Sequence, residues 1–361
     1  MESKKILLVL QNDLMGGAEQ LLKSVSKTYA SQGHNVDVII VRSPMQKNWD
    51  SLKNNINIKY LNSNSYLTGF IYLFFYMILK KKKYDYMISS NININSILGL
   101  VNNLKLLKTK KLIIRETTSV FLRNKGLKKQ IQVLKYILGY SGSDLIICQS
   151  DIMKTQFIDN LHQSKSWNLV TMQNPIDSES IIEKSKENIE KELQNKYIIT
   201  AGRLITEKGY DILIKVFNEI KDNIEHNLII LGEGKLKDDL QVLINKLNLT
   251  ERVFLYGFEK NPFPYFKNAD LCVVSSRYEG FPNVLLQMAL LNDNVVSTNC
   301  AGNIDKIPGV YIAETNNVQS LKTEILKCLE NKIDYNLNKL KLNYLNSLTY
   351  EKYVFNIEEN L

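Results

Sequence analysis

The sequence predicts an α/β protein made of two doubly wound parallel sheets in tandem. Three observations lead there. Short, near-continuous apolar runs recur along the chain, as expected of strands buried on both faces. Stretches of roughly 10–15 residues with helical periodicity separate them, the alternation that yields parallel sheets. The length of 361 residues exceeds one ordinary hydrophobic core and suits two domains of roughly 150–180 residues each.

In the first half, residues 5–10 (KILLVL) read as a buried strand leading through Gly16 and Gly17 into a helix. Gly33 closes that helix, and further strands are expected at 35–41, 84–89, 111–116 and 144–150. The second half places strands at 197–202, 227–232, 253–258, 271–276 and 294–299. Pro175 biases the residue before it toward extended structure and a polar helical segment follows, so the boundary falls at Asn174-Pro175-Ile176-Asp177. Two Rossmann-like domains result, residues 1–173 and 174–346, with a cleft between them, and 347–361 is expected to return to the first.

An apolar fraction of 44% with 23% charged residues is that of a soluble globular protein. Cys148, Cys272, Cys300 and Cys328 are scattered with no CxxC or Cys/His cluster, which excludes a zinc-finger or disulfide framework. The opening MESKKILLVL has an apolar stretch that ends at Gln11, too short for a signal peptide, so a cytoplasmic location is expected. Charge is uneven. Residues 1–177 carry 24 Lys/Arg against 11 Asp/Glu, whereas 178–361 carry 22 against 26. A first half so basic faces something anionic, either nucleic acid or an anionic membrane surface. No nucleic-acid-binding signature accompanies the basic residues, so nucleic acid is not expected.

Three segments carry chemistry. Thr200 to Gly209 (TAGRLITEKG) lies where a strand ends and a helix begins, the place where a doubly wound sheet binds ligands. Its glycines allow close backbone approach, and Arg203 and Lys208 suit a diphosphate, Arg through paired hydrogen bonds and Lys as a point charge. A turn with two solvated cations is the plainer reading of the same residues. Ser275 to Gln287 (SSRYEGFPNVLLQ) again runs strand, loop, helix, with free N–H groups at the helix start suited to an anion. Glu279 there fits sugar hydroxyls better than phosphate; its plainer role is stabilising the helix dipole. Met15 to Glu19 holds Gly16-Gly17 at a third such junction. It is not the GxGxxG dinucleotide fingerprint, which counts against a nicotinamide enzyme.

Together these segments resemble the GT4 family of retaining glycosyltransferases, and the resemblance covers nearly the whole chain. It is most specific from Tyr197 to about Ile307, where GRLxxEKG, LGEG (231–234), YGF (256–258) and SSRYEGFPNVLLQ follow in the family's order. The resemblance implies a GT-B fold, an acceptor-binding first domain and a second domain that binds a nucleotide-sugar donor. Arg203 and Lys208 would hold the donor diphosphate, and Glu279, the first Glu of the family's E-x7-E motif, would contact the sugar. Gly280, Phe281, Pro282 and Asn283 would offer backbone to the phosphates and sugar. Gly16 and Gly17 would close over the phosphates. Gly257 and Phe258 would meet the base, and Gly232 and Gly234 line the same crevice. Where the motif has its second Glu this chain has Gln287, whose amide can still serve ribose hydroxyls at lower charge. A His near the donor sugar, frequent in the family, has no counterpart: His34, His162 and His226 read as structural. Arg115 and Glu116 are the acceptor-side candidates.

Cleaving a sugar–phosphate bond needs positive charge already in place at the leaving group. No two aspartates stand two residues apart, so Arg203, Lys208 and helix N-termini serve instead; neither a metal nor another cofactor is expected. A UDP-sugar carrying a hexose or N-acetylhexosamine is the expected donor. A nucleotide-sugar epimerase or phosphorylase, and a non-catalytic partner subunit of another transferase, are the competing readings.

Residues 66–79 (YLTGFIYLFFYMIL) run into Lys80–Lys83. A helix of that length is about 21 Å long, short of a hydrocarbon core of about 30 Å. It is therefore either a helix packed on the first sheet or an interfacial helix whose lysines meet acidic lipid, aided by cationic stretches at 105–111 and 123–129. Combined with an acceptor-handling first domain, the basic charge suggests a lipid-linked glycan acceptor, as in surface-polysaccharide assembly, and a peripheral position on the inner membrane face.

Overall fold

The structure, a computed structural model, describes residues 2–14, 16–117, 121, 126–189, 196–331 and 334–361. The chain divides into two compact units, one of residues 1–175 with 350–361 and one of residues 176–349.

The N-terminal unit contains β1 (Lys5–Leu10), α1 (Gly17–Ser31), β2 (Asn35–Arg42), β3 (Asn57–Ser63), α2 (Tyr66–Leu79), β4 (Tyr84–Ser89), α3 (Ile92–Asn103), β5 (Thr109–Arg115), α4 (Gly126–Gly139), β6 (Leu145–Cys148), α5 (Asp151–Asn160) and β7 (Leu169–Thr171). All its strand pairs are parallel, in the order β3-β2-β1-β4-β5-β6-β7. The central strands are apolar on both faces, and the two faces pack into separate cores. Leu7, Val9, Ile39 and Ile114 meet α2, α3, α4 and α5 on one side. Ile6, Leu8, Ile40 and Ile113 meet α1 on the other, where Tyr353, Val354 and Ile357 of the last helix also pack. Polar side chains close the helix starts: Ser65 accepts the Thr68 N–H and Asn91 that of Asn93.

The C-terminal unit runs α6 (Ser178–Lys184), β8 (Tyr197–Ala201), α7 (Tyr210–Ile220), β9 (Asn227–Leu231), α8 (Lys237–Lys246), β10 (Val253–Gly257), α9 (Phe263–Asn268), β11 (Leu271–Val274), α10 (Asn283–Leu291), β12 (Val295–Thr298), β13 (Val310–Ala313), α11 (Val318–Glu330) and α12 (Tyr335–Asn346). Its sheet is again parallel, β10-β9-β8-β11-β12-β13. The chain then returns to the N-terminal unit as α13 (Tyr350–Glu359).

Every strand expected from the sequence forms. Three more form that the sequence reading did not anticipate: β3, β7 and β13. Each sits at a sheet edge, where one side is open to solvent, so polar residues alternate through β3 and only three or four residues build β7 and β13. Among the described residues no helix is long and apolar enough to cross a membrane.

Candidate functional site

β8 and β11 are neighbours in the C-terminal sheet, and the strand order reverses between them. The carboxyl ends of such a pair are where an open α/β sheet presents its binding crevice. The loop after β8 carries Gly202, Arg203 and Lys208; the loop after β11 carries Glu279. Folding brings them together. Lys208 Nζ lies 2.6 Å from Glu279 Oε1, with both side chains mostly buried, and the same oxygen accepts the Ser276 hydroxyl at 2.9 Å.

A second set of contacts, which the sequence reading missed, locks the two loops in register. Arg277 grips the Asp211 carboxylate with both terminal nitrogens at 2.9 and 2.8 Å and donates to the Thr206 carbonyl at 2.6 Å. Burial favours a neutral Asp211, but the Arg277 guanidinium outweighs it and holds the carboxyl below its ordinary range. Ser275 donates to the Lys208 carbonyl at 2.9 Å. Gly209, the residue before α7, has φ +65°, and a Cβ there would stand 2.2 Å from the Ser275 carbonyl oxygen. Only glycine gives that backbone and that approach. The Arg277–Asp211 pair spans 66 positions in the sequence, so no local pattern announces it.

Arg203 differs from its neighbours. Its side chain is exposed and has no hydrogen-bond or ion-pair partner among the described residues, while the adjacent Leu204 is fully buried and anchors the loop. The backbone of Leu204 is clamped from both sides, its N–H on the Glu233 carbonyl and its carbonyl accepting from Leu236. Gly234 passes so near that a Cβ would lie 2.4 Å from the Leu204 oxygen; at Gly232 it would lie 1.9 Å from the Gly202 oxygen. Gly257 ends β10 with its carbonyl on the Gly232 N–H at 2.7 Å, and Phe258 follows, 75% exposed. These residues therefore form one rim along the carboxyl ends of β8, β9 and β10.

The remaining segment divides by role. Gly280 is buried, and the Phe281 ring packs in the core, so from Phe281 only backbone is free to meet a ligand. Pro282 is the capping residue of α10 and lies just outside its first turn, because the helix starts at Asn283. Gln287 lies one turn further in, partly buried. The Glu279 N–H bonds the Cys300 carbonyl at 2.8 Å. Burial, with the Glu279 charge beside it, pushes the Cys300 thiol up to about 12, which removes it as a nucleophile.

In the N-terminal unit, Gly16 precedes α1 and Gly17 opens it, both exposed; Met15 lies outside the described residues. Sequence reasoning missed Asp13, whose fully buried carboxylate accepts the N–H groups of Met45, Gln46 and Lys47 and so folds the loop after β2 against the loop after β1. The expectation for Arg115 and Glu116 is corrected: neither side chain is available to an acceptor. Each is 3% exposed. Arg115 donates to Ser90 and Asn174, and Glu116 accepts from the Tyr140 hydroxyl at 2.6 Å and the Thr117 N–H at 3.0 Å. Asn95 ties them together, donating to the Arg115 carbonyl and to Tyr140.

A cavity of about 460 Å³ opens at the opposite, amino ends of the C-terminal strands, lined by Lys196, His226, Asp270 and Asn294 among others. It lies at the other end of the C-terminal sheet from Arg203, Lys208 and Glu279 and mixes both charge signs, so cavity size gives no reason to move the candidate site from those residues. Among the described residues no three His, Cys, Asp or Glu side chains gather as a metal site.

Residues 181–343 match the family described as glycosyl transferases group 1. The C-terminal unit is a group 1 glycosyltransferase domain. Over 181 residues the chain is 36% identical to an uncharacterized glycosyltransferase of Methanocaldococcus jannaschii, covering 48% of this chain and 44% of that protein. Over 191 residues it is 34% identical to N-acetylgalactosamine-N,N'-diacetylbacillosaminyl-diphospho-undecaprenol 4-alpha-N-acetylgalactosaminyltransferase of Campylobacter jejuni, covering 52% and 51%. The chain thus spans about half the length of these curated relatives. In fold, it is similar across 99% of its length to all of Anabaena HepE, crystallised in complex with UDP, with a TM-score of 0.77 at 17% identity. The two parallel-sheet α/β units are those of the GT-B fold that accompanies group 1 domains.

Proposed function

We propose that the chain is a retaining, metal-independent glycosyltransferase that moves a hexose or N-acetylhexosamine from a UDP-sugar to a lipid-linked glycan in surface-polysaccharide assembly. One observation carries this reading: exposed, unpartnered Arg203 stands in the same loop as Lys208, which is held 2.6 Å from Glu279 at the switch point of the sheet. A mostly buried ion pair of this kind contributes little net stability, because desolvation offsets its attraction. Its value is as a set of groups that a donor can take over. The diphosphate would compete with Glu279 for Lys208 and gain Arg203 as well, while the freed carboxylate accepts sugar hydroxyls.

When the bond from the sugar C1 to the phosphate oxygen breaks, its electron pair goes to that oxygen, where both cations stand ready. The acceptor hydroxyl then bonds to C1 as its proton passes to the departing phosphate oxygen. Retention rests on the GT4 resemblance. UDP as the nucleotide is supported by HepE, crystallised with UDP, and the lipid-linked acceptor by the Campylobacter relative, whose name gives a diphospho-undecaprenol glycan and an N-acetylgalactosaminyl group. Gln287 would hydrogen-bond ribose hydroxyls as an amide.

The test is nucleotide release from a panel of sugar nucleotides, with and without a lipid-linked acceptor, in chelator and in manganese. Acceptor-dependent release of UDP that chelator leaves intact is expected. Activity lost in chelator and restored by manganese would overturn metal independence, and donor conversion without acceptor would favour an epimerase.

A further inference from the structure

We infer that the outer face of α2 and α4 in the N-terminal unit docks on an anionic lipid bilayer, with α2 lying in the plane of the interface. Gly69, Leu73 and Met77 seat α2 on the sheet, and Tyr136 does the same for α4. Both helices pack against α3 on the same side of the sheet. Their opposite faces are open to solvent and are apolar. On α2, Leu67, Ile71, Phe75 and Leu79 recur every four residues with Tyr72 beside them, all exposed, Leu79 at 76%. On α4, Leu127, Ile131, Leu134 and Leu138 form a second exposed stripe at four-three-four spacing, Leu127 at 71%. A helix that is apolar all round is normally enclosed; here the side of α2 that carries Leu67, Ile71, Phe75 and Leu79 is exposed.

Charge decides what covers it. Residues 51–143 hold sixteen lysines and arginines against two acids, Asp85 and Glu116. Glu116 is buried and Asp85 is paired with Lys110 at 2.8 Å. Lys81 and Lys83, directly after α2, and Lys128, within the α4 stripe, are exposed without partners among the described residues. Of the cationic stretch at 123–129, residues 123–125 lie outside the described residues. A second copy of the chain would bring this positive surface against itself, since a two-fold interface pairs like with like. An anionic bilayer complements both properties: it takes the apolar stripes below its headgroups and the lysines among them. Spanning is excluded for α2, because 14 residues reach only about 21 Å. This docking deepens the proposed lipid-linked acceptor, since it would hold the enzyme where such a substrate resides.

The experiment is co-sedimentation of the full chain with vesicles of phosphatidylcholine alone and of phosphatidylcholine mixed with phosphatidylglycerol, beside size-exclusion chromatography and soluble nucleotide release. Binding to the anionic vesicles only is expected. Lys81→Ala with Lys83→Ala should weaken it about thirtyfold, each lysine near an anionic surface being worth about fivefold. Ile71→Ser with Phe75→Ser should weaken it more than about tenfold through lost apolar burial. These side chains are exposed, so melting temperature and nucleotide release should stay at parental values, whereas Val242→Ser, an exposed apolar control in the C-terminal unit, should bind vesicles like the parent. Equal binding to neutral and anionic vesicles would overturn the inference. So would parental binding by the Ile71/Phe75 variant, or a dimer that this variant dissociates. None of those outcomes touches the donor chemistry, which fails only if nucleotide release is absent.

Discussion

The two sheets end alike and use their charges in opposite ways. At the carboxyl end of β5, Arg115 and Glu116 are enclosed and bonded to Ser90, Asn174, Tyr140 and Asn95. At the carboxyl end of β8, Arg203 is exposed and unpartnered, and Lys208 has Glu279 and no other described hydrogen-bond partner for its ammonium. The same residue types thus do two jobs. A charge enclosed by its own chain, as Arg115 is with its terminal nitrogens on Ser90 and Asn174, holds strand ends and loops in place. A charge left incomplete is free to complete itself on a ligand. The state of the partners, more than the presence of Arg or Glu at a strand end, separates scaffold from site.

The largest effects should fall on opposite observables at the two ends. Arg203→Ala should lower kcat/KM by about 10²–10³, the cost of about 2.7–4 kcal/mol for one lost transition-state donor. Its unfolding midpoint should move by no more than about 0.5 kcal/mol, as for an exposed side chain without partners. Arg115→Ala should do the reverse, lowering unfolding free energy by about 3 kcal/mol as Ser90 and Asn174 lose their partner in the interior. Its kcat/KM, measured well below the melting temperature, should stay within a few-fold. A stability loss in the first variant, or a selective activity loss in the second, would break the comparison.

A smaller effect should come from the backbone that sets the site's geometry. Gly209→Ala forces a Cβ into a left-handed residue and against the Ser275 carbonyl, at about 1–3 kcal/mol. It should also raise KM for the donor, because the displaced loop carries Lys208. Urea melts and donor kinetics on one preparation would separate the two. If stability falls while KM is unchanged, the contact of Gly209 with β11 serves folding alone.

Much of this was legible in the sequence, for a physical reason. A strand buried on both faces must be an apolar run, so β1, β8 and β11 announce themselves, and the candidate site residues follow their ends, where glycines and cations interrupt the pattern. Edge strands obey a weaker constraint, and β3, β7 and β13 were missed accordingly. Arg203, Lys208 and Glu279 stood out by type and position. Their pairing did not, because Lys208 and Glu279 are 71 residues apart and Arg277 and Asp211 are 66. The enclosure of Arg115 and Glu116 was invisible for the same reason: Tyr140 and Asn174 reach them only through the fold.

The smallest effect extends the comparison to the amino ends of the strands, where His34 and His226 each stand directly before one. His34 precedes β2 and accepts the Lys4 N–H on Nδ1 at 3.3 Å. His226 precedes β9, and its buried Nδ1 has no hydrogen-bond partner among the described residues. Protonation would break the first arrangement and would bury a charge in the second. Burial therefore lowers both pKa values below the usual 6.5, although Asp270 lies 3.9 Å from His226 and pulls the other way. Between the folded and unfolded pKa values the unfolded chain binds more protons, so stability is complete above about pH 6.5 and declines as pH falls through the folded values. Asp37 and Asp211 are held below their ordinary range and stay ionised there, which leaves the window to the histidines. The urea midpoint should fall modestly from about pH 7.5 to about 5.5. His226→Gln should flatten part of that fall and His34→Gln the rest, each acting on its own unit. A parental midpoint that stays level across the window would mean both rings protonate without cost, and the amino ends would then be as open to solvent as Arg203.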